Sequence, residues 1–386
     1  VFFLYISLIL NSCAYFEEDE TKLPGKRENV FKLEEKTIIK AKEKIVLVEP
    51  KFVDSWTQQH QNTRNHLFHF QSKKKIKFSS KISLGGISFD KFQHTVSPLI
   101  SKETIYYIDN DFNVLSKSLK TGKVNWKIGL KREKKEKLGF AGGLAMTNNE
   151  LVITTGLGNV YSLRIKDGKI RWLKDLLVQF SRPPTIHKKK IFVVSDDNQL
   201  FVLDLDLGDE IWSHMGNLEE VSIIGGSKPV IDENVVVVTY SSGEVYALNE
   251  NDGGLLWFDN INSGNFFNRN IVSDIQSPST IFDGKVFVPT FSDKFNVYDV
   301  RDGKKIWSLN FSSINPFAIS GNIIYVLDIT GRLLCLEKSN GNLLWAVQLR
   351  LIKNNEEIIW YGPLLSSHKI ILASSQGTLL SLSPYT

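Results

Sequence analysis

The chain has 386 residues, 42% hydrophobic and 23% charged, a composition that excludes wholesale disorder and supplies enough apolar side chains for a large core. Its 47 Lys and Arg against 42 Asp and Glu leave a formal charge of +5, far short of the concentrated field of a nucleic-acid binder. The basic residues gather in short runs such as Lys73 to Lys75, Lys131 to Lys137 and Lys188 to Lys190, which read as solvated turns.

Residues Val1 to Leu10 are almost wholly apolar and run directly into Asn11-Ser12-Cys13. The run is too short to cross a bilayer core of about 30 Å as a helix, and it reads as the apolar part of an export signal. Leu10-Asn11-Ser12-Cys13 resembles the lipobox of bacterial lipoproteins, which implies that Cys13 carries the lipid. In that pattern an aspartate after the cysteine marks the inner membrane. Ala14 stands there, so the resemblance implies the outer membrane. The expected organisation is a signal over 1–13, a polar tether over 14–50 that opens with the acidic stretch Glu17 to Glu20, and a folded body over 51–386. The second cysteine, Cys335, sits in the alternating run Leu333-Leu334-Cys335-Leu336 and is expected as a small core residue rather than a disulfide partner of Cys13.

The body is repetitive. An apolar strand, a glycine turn and a tryptophan four residues after the glycine recur at Gly122 and Trp126, Gly168 and Trp172, Gly208 and Trp212, Gly253 and Trp257, Gly303 and Trp307, and Gly341 and Trp345. Strands of matching type precede the turns, as in Val160-Tyr161-Ser162-Leu163 and Val245-Tyr246-Ala247-Leu248, and Leu379-Leu380-Ser381-Leu382 adds a seventh. The tryptophans recur every 38 to 50 residues, which fits a propeller blade of four strands, roughly 40 to 50 residues long. Runs such as Glu233 to Val238 supply further strands, and no helical periodicity competes. The predicted fold is therefore an all-β propeller of four-stranded blades. A large ring at one fixed place in each blade suits docking between neighbouring sheets, with its N–H on a backbone acceptor.

Gly-x-x-x-Trp after an apolar strand resembles the repeat of propellers of the pyrroloquinoline-quinone type, a group that includes quinoprotein dehydrogenases and the BamB family of outer-membrane assembly lipoproteins. With the lipobox and the span of the repeats, the chain is similar to the BamB family. That resemblance implies a scaffold without enzymatic activity and without a cofactor, docked on the periplasmic domains of the β-barrel insertase (a BamA-like subunit), with unfolded outer-membrane proteins as further partners. It assigns Asp54-Ser55-Trp56 to a strand that completes the last blade, and it implies eight blades where seven are legible. The final Ser383 to Thr386 opens a turn, and an eighth blade would need residues beyond it. Two loops carry the family's partner contact. The first corresponds here to Val221-Ser222-Ile223-Ile224-Gly225, with Ile224 at the position of the family arginine, which removes a charge-assisted contact. The second corresponds to Ser273 to Pro278, with Asp274 at an acidic position and Gln276 where a second acid is usual.

The alternative is an envelope quinoprotein dehydrogenase or quinone sensor. The resemblance would then imply calcium-binding carboxylates and adjacent cysteines, and the chain has no adjacent cysteines. His60, His66 and His69 cluster, but an i, i+3 pair in extended chain points to opposite faces, and no acid or cysteine completes a metal site. Gly139 to Gly143 and Gly156 to Gly158 precede no helix and read as turns.

Overall fold

The computed structural model describes residues 44–72, 96–109, 111–130, 141–218, 226–261, 277–291, 293–353 and 356–385. The candidate lipid-bearing Cys13 lies outside them. Every regular element among the described residues is a strand, and the strands form the blades of a β-propeller. The second blade shows the plan, with Ala141–Met146, Glu150–Thr155, Asn159–Arg164 and Ile170–Asp175 hydrogen-bonded in chain order. Its second strand is buried at every position and its third at all four central ones, whereas the outer strand exposes alternate residues. Middle strands are covered on both faces by adjoining blades, and so they read as continuous apolar runs.

The same order repeats in blades three (185–215), four (230–260), five (280–309) and six (318–348). Blade seven has three strands, Trp360–Ser366, Lys369–Ser374 and Leu379–Leu382. The last of these occupies the position of a third strand, yet it is half exposed, and among the described residues no fourth strand lies outside it. The core is a series of interblade seams rather than one centre. Leu99, Tyr106 and Val114 of blade one pack with Leu144, Ile153 and Tyr161 of blade two, and Tyr325, Cys335 and Trp345 of blade six with Leu365, Ile370 and Leu372 of blade seven.

The tryptophans lock these seams in one register. The indole N–H of Trp126 donates to the Ile165 carbonyl of the next blade at 2.8 Å, Trp172 to Leu205, Trp212 to Glu250, Trp257 to Val300, Trp307 to Lys338 and Trp345 to Pro384. Each acceptor follows the third strand of the neighbouring blade. The ring itself lies on that neighbour's turn glycine. A Cβ at Gly208 would come within 2.7 Å of the Trp172 ring, and one at Gly303 within 2.6 Å of Trp257. The glycines also hold φ between +70° and +78°, where a side chain is strained. Glycine is thus required twice at one position, by the turn and by the ring above it. Gly122 of blade one shares the turn (φ +70°) but has open space where the others carry a ring.

Trp56 departs from the expectation. Ser55–Trp56 pairs with Ser101 and Ile100 of the innermost strand of blade one, not with the last blade. From there segment 55–72 runs past the innermost strand of every blade in turn. The Met146 N–H donates to the Thr57 carbonyl at 2.8 Å, the Gln58 amide brackets the backbone of Ile186, and the N–H groups of Ile231, Ile281 and Ile319 donate to the carbonyls of Thr63, Arg64 and Leu67. Phe70 donates to Leu365 and accepts from Ser367 of blade seven. Innermost strands present an unpaired edge toward the axis, and buried N–H groups left without partners are costly. This strap meets that need once per blade. Its two ends touch, with the Trp56 and Phe70 rings 5.5 Å apart.

The two roles of the repeat glycine separate by mutation. Gly208→Ala is expected to cost about 2 kcal/mol or more beyond Gly122→Ala, because both pay left-handed strain but only the first drives a methyl into an indole. Urea unfolding of the two variants measures the difference, and equal losses would remove the ring contact from the account.

Candidate functional site

The expected partner-contact residues Val221, Ser222, Ile223, Ile224, Gly225, Asp274 and Gln276 all lie outside the described residues. The frame from which their loops spring is described, and it is shared. The first loop leaves blade three after Gly216 and Asn217 and returns to blade four through Ser227 and Lys228. The second leaves blade four at Ile261 and returns to blade five through Ser277 and Ser279.

Between the two departures stands the hairpin Tyr240 to Glu244 of blade four. The buried Glu244 carboxylate accepts from the Asn217 N–H at 2.8 Å, the Asn217 amide at 2.6 Å, the Ser242 hydroxyl at 2.8 Å and the Tyr246 hydroxyl at 3.2 Å. The neighbouring Gly243 carbonyl accepts from the Ile261 N–H at 3.0 Å. One hairpin thereby holds the start of both loops. Asn198 of blade three, in the left-handed region at φ +63°, completes the frame: its amide donates to the Asn217 carbonyl and its oxygen accepts from the Ser241 N–H and hydroxyl. On the return side the Ser279 N–H donates to the Ser227 hydroxyl at 3.1 Å, which joins the two loop ends. At Gly226, φ is +130° and a Cβ would sit 2.7 Å from the Arg182 guanidinium, so that position tolerates only glycine.

An aromatic cluster lines the seam between blades three and four beside this frame. His214 stacks on Tyr240 with Nδ1 2.9 Å from its hydroxyl, and Tyr246 packs against both His214 and Phe258. Burial and the Glu244 charge push the Tyr246 phenol up to about 12, and burial holds the His214 imidazole below its usual value. Met215, Leu218 and Phe258 are large apolar side chains left exposed around the same hairpin, Leu218 at 70%. Sequence reasoning missed Asn198, Asn217 and Glu244, because each acts across a blade boundary and none belongs to the repeat.

The axis offers a different donor set. Lys228 is buried, and its ammonium donates to the Asn62 carbonyl of the strap at 3.1 Å and to the Thr185 hydroxyl at 3.3 Å. Burial pushes it down to about 7. His60 faces it, and the neighbouring Ser227 hydroxyl is buried and accepts from the N–H of the buried Ser279. A lysine, an imidazole and hydroxyls do not suit a calcium ion, which takes carboxylate and carbonyl oxygens. No group of three or more metal-ligating side chains occurs among the described residues. Cys335 is buried in blade six, and burial raises its thiol to about 12. His66 and His69 border one groove of about 160 Å³, but His69 spends both ring nitrogens, on the Val48 carbonyl and the His368 N–H, and His66 spends one on the Ile319 carbonyl.

Residues 101–347, more than half of the chain, match the family described as "Outer membrane protein assembly factor BamB". The chain belongs to the BamB family. BamB of Escherichia coli (strain K12) is 23% identical over 299 residues, 76% of this chain and 75% of that protein. The crystal structure of BamB from Moraxella catarrhalis superposes with a TM-score of 0.60 at 17% identity, covering 78% of this chain and 84% of that one. A quinohemoprotein alcohol dehydrogenase from Comamonas testosteroni gives 0.66 at 11% identity over 86% and 72% of the two chains, a likeness of fold alone.

Glu244→Gln should loosen the loop frame without removing a blade. The expected result is a fall of the Tyr246 phenol from about 12 toward the ordinary tyrosine value, read by NMR of ring-labelled tyrosine. An unmoved Tyr246 would show that the Glu244 charge does not organise this cluster.

Proposed function

We propose that this BamB-family chain is a scaffold lipoprotein without enzymatic activity, which assists the folding and insertion of outer-membrane β-barrel proteins by docking on the periplasmic domains of their insertase. Cys13 carries the lipid after removal of the signal over 1–13, residues 14–50 form the tether, and the body over 51–386 stands at the periplasmic face of the outer membrane. The observation that supports this reading is the shared frame around Glu244, which ties together Asn217 and Ile261, the described residues from which the loops bearing Val221 to Gly225 and Asp274 with Gln276 depart. Anchors presented from a rigid base lose little freedom on binding. Ser222, Ile223 and the acid Asp274 give these loops apolar and acidic side chains, and the exposed Leu218 stands at the described end of the first loop. Unfolded β-barrel proteins are further partners, taken up by strand addition at exposed strand edges. The axial groups favour the scaffold over a quinone enzyme, since Lys228 and the strap are spent on hydrogen bonds and neither offers a carboxylate for calcium.

Apolar residues at the centre of an interface carry most of its energy. Ile223→Glu is therefore expected to reduce recovery of the insertase with the lipidated protein from solubilised envelopes by tenfold or more, with the melting temperature unchanged. Undiminished recovery would move the docking site elsewhere.

A further inference from the structure

Segment 55–72 holds every blade, yet it is built from parts that favour release. His60, Gln61 and Asn65 all have positive φ, at 56°, 78° and 55°, backbone that is strained for residues other than glycine. The segment has no regular ladder of its own beyond Ser55–Trp56, so its conformation persists only through its contacts with the ring. Three histidines lie along it, His60, His66 and His69, and the bond that His69 makes to blade seven holds only while its ring is neutral. The His69 Nδ1–H donates to the Val48 carbonyl at 2.6 Å while Nε2 accepts the His368 N–H at 2.9 Å, so a proton on Nε2 destroys the second bond. His66 donates from Nε2 to the Ile319 carbonyl at 3.2 Å and packs on Phe282 at 4.3 Å. The Nδ1 of His60 is buried and lacks a partner.

The charges around them are mostly of the wrong sign for an imidazolium. Lys228 faces His60 from blade four. Arg64, Lys51 and Lys338 surround His66, the first bound to Asp232 at 2.6 Å and the last to Asp283 at 2.7 Å. His368 faces His69 from blade seven, and Glu49 alone opposes it.

We propose that segment 55–72 is a pH-sensitive clasp, which closes the axis of the propeller at neutral pH and lifts off the innermost strands as acid charges His60, His66 and His69. The strap then uncovers the axial edges of the blades and withdraws the Asn62 carbonyl from Lys228 at the return of the first loop.

Burial, reinforced by Lys228, pushes His60 down to about 3, and burial with the neighbouring cations pushes His66 down to about 4, from an ordinary value near 6.5. His69 is lowered as well, by burial first. Folded values below the released ones mean stability that is full above about pH 6.5 and lost as pH falls toward 4. At pH 5 the released strap gains roughly thirtyfold in population for each of His60 and His66, from the linkage relation. The outer strands carry no such histidines apart from His214 and change little.

The test is hydrogen exchange by mass spectrometry on the full chain at pH 7.5 and pH 5.0, corrected for intrinsic rates. Peptides covering 55–72, together with the innermost strands at Ile231, Ile281 and Ile319, should lose at least tenfold protection at the lower pH. The middle strands Gln199–Asp204 and Arg332–Glu337 should keep theirs. A His60→Asn, His66→Gln double variant should lose most of the pH difference; if that variant does not fold, the wild-type comparison alone decides. Unchanged strap protection at pH 5.0 would overturn the proposal, and so would equal loss in strap and middle strands, which marks global unfolding.

Discussion

The contact on which this molecule depends is the indole of one blade lying on the turn glycine of the next. Burying such a ring is worth about 3 kcal/mol, and its N–H adds a hydrogen bond to a carbonyl whose position the neighbour's third strand fixes. Because each lock spans a seam, a blade is held by the one before it and holds the one after. The series runs from Trp126 on Gly168 to Trp307 on Gly341, and Trp345 still finds the Pro384 carbonyl. At the remaining seam, Gly122 carries no ring and blade seven has no fourth strand among the described residues.

The strap works where the repeat stops. Its Trp56 and Phe70 rings meet between the first and last blades, and its carbonyls answer the axial N–H groups that the repeat leaves open. The densest side-chain hydrogen bonding beside the ring's loop ends is at Glu244. Burying a carboxylate is costly unless its oxygens are well supplied with donors, and four donors converge on this one.

The blades were legible because their signal is periodic: glycine, tryptophan and the apolar third strand recur in one order, and Leu379 to Leu382 revealed the seventh sheet without a tryptophan. The role of Trp56 was not. Asp54-Ser55-Trp56 imitates an outer strand in composition, but it lacks the preceding turn glycine and third strand that place the other rings, and the axial edge of blade one captures it instead. The rest of the strap has no period at all, since its bonds go to seven different blades at irregular spacing. Lys228 is buried with its ammonium on the Asn62 carbonyl of the strap and the Thr185 hydroxyl of blade three, a placement that nothing in the sequence marks. Asn198, Asn217 and Glu244 were equally hidden, as unremarkable polar residues on different blades that meet through the register of the ring. For the expected partner loops, the resemblance gave Val221 to Gly225, Asp274 and Gln276, and the structure describes the ends from which those loops depart.

The most direct test of the scaffold account is calorimetric titration of one preparation of the protein against two candidates. One is the purified periplasmic region of a β-barrel insertase; the other is pyrroloquinoline quinone with calcium. The account predicts saturable heat with the insertase region and none with the quinone. Saturable quinone binding with no response to the insertase region would contradict it.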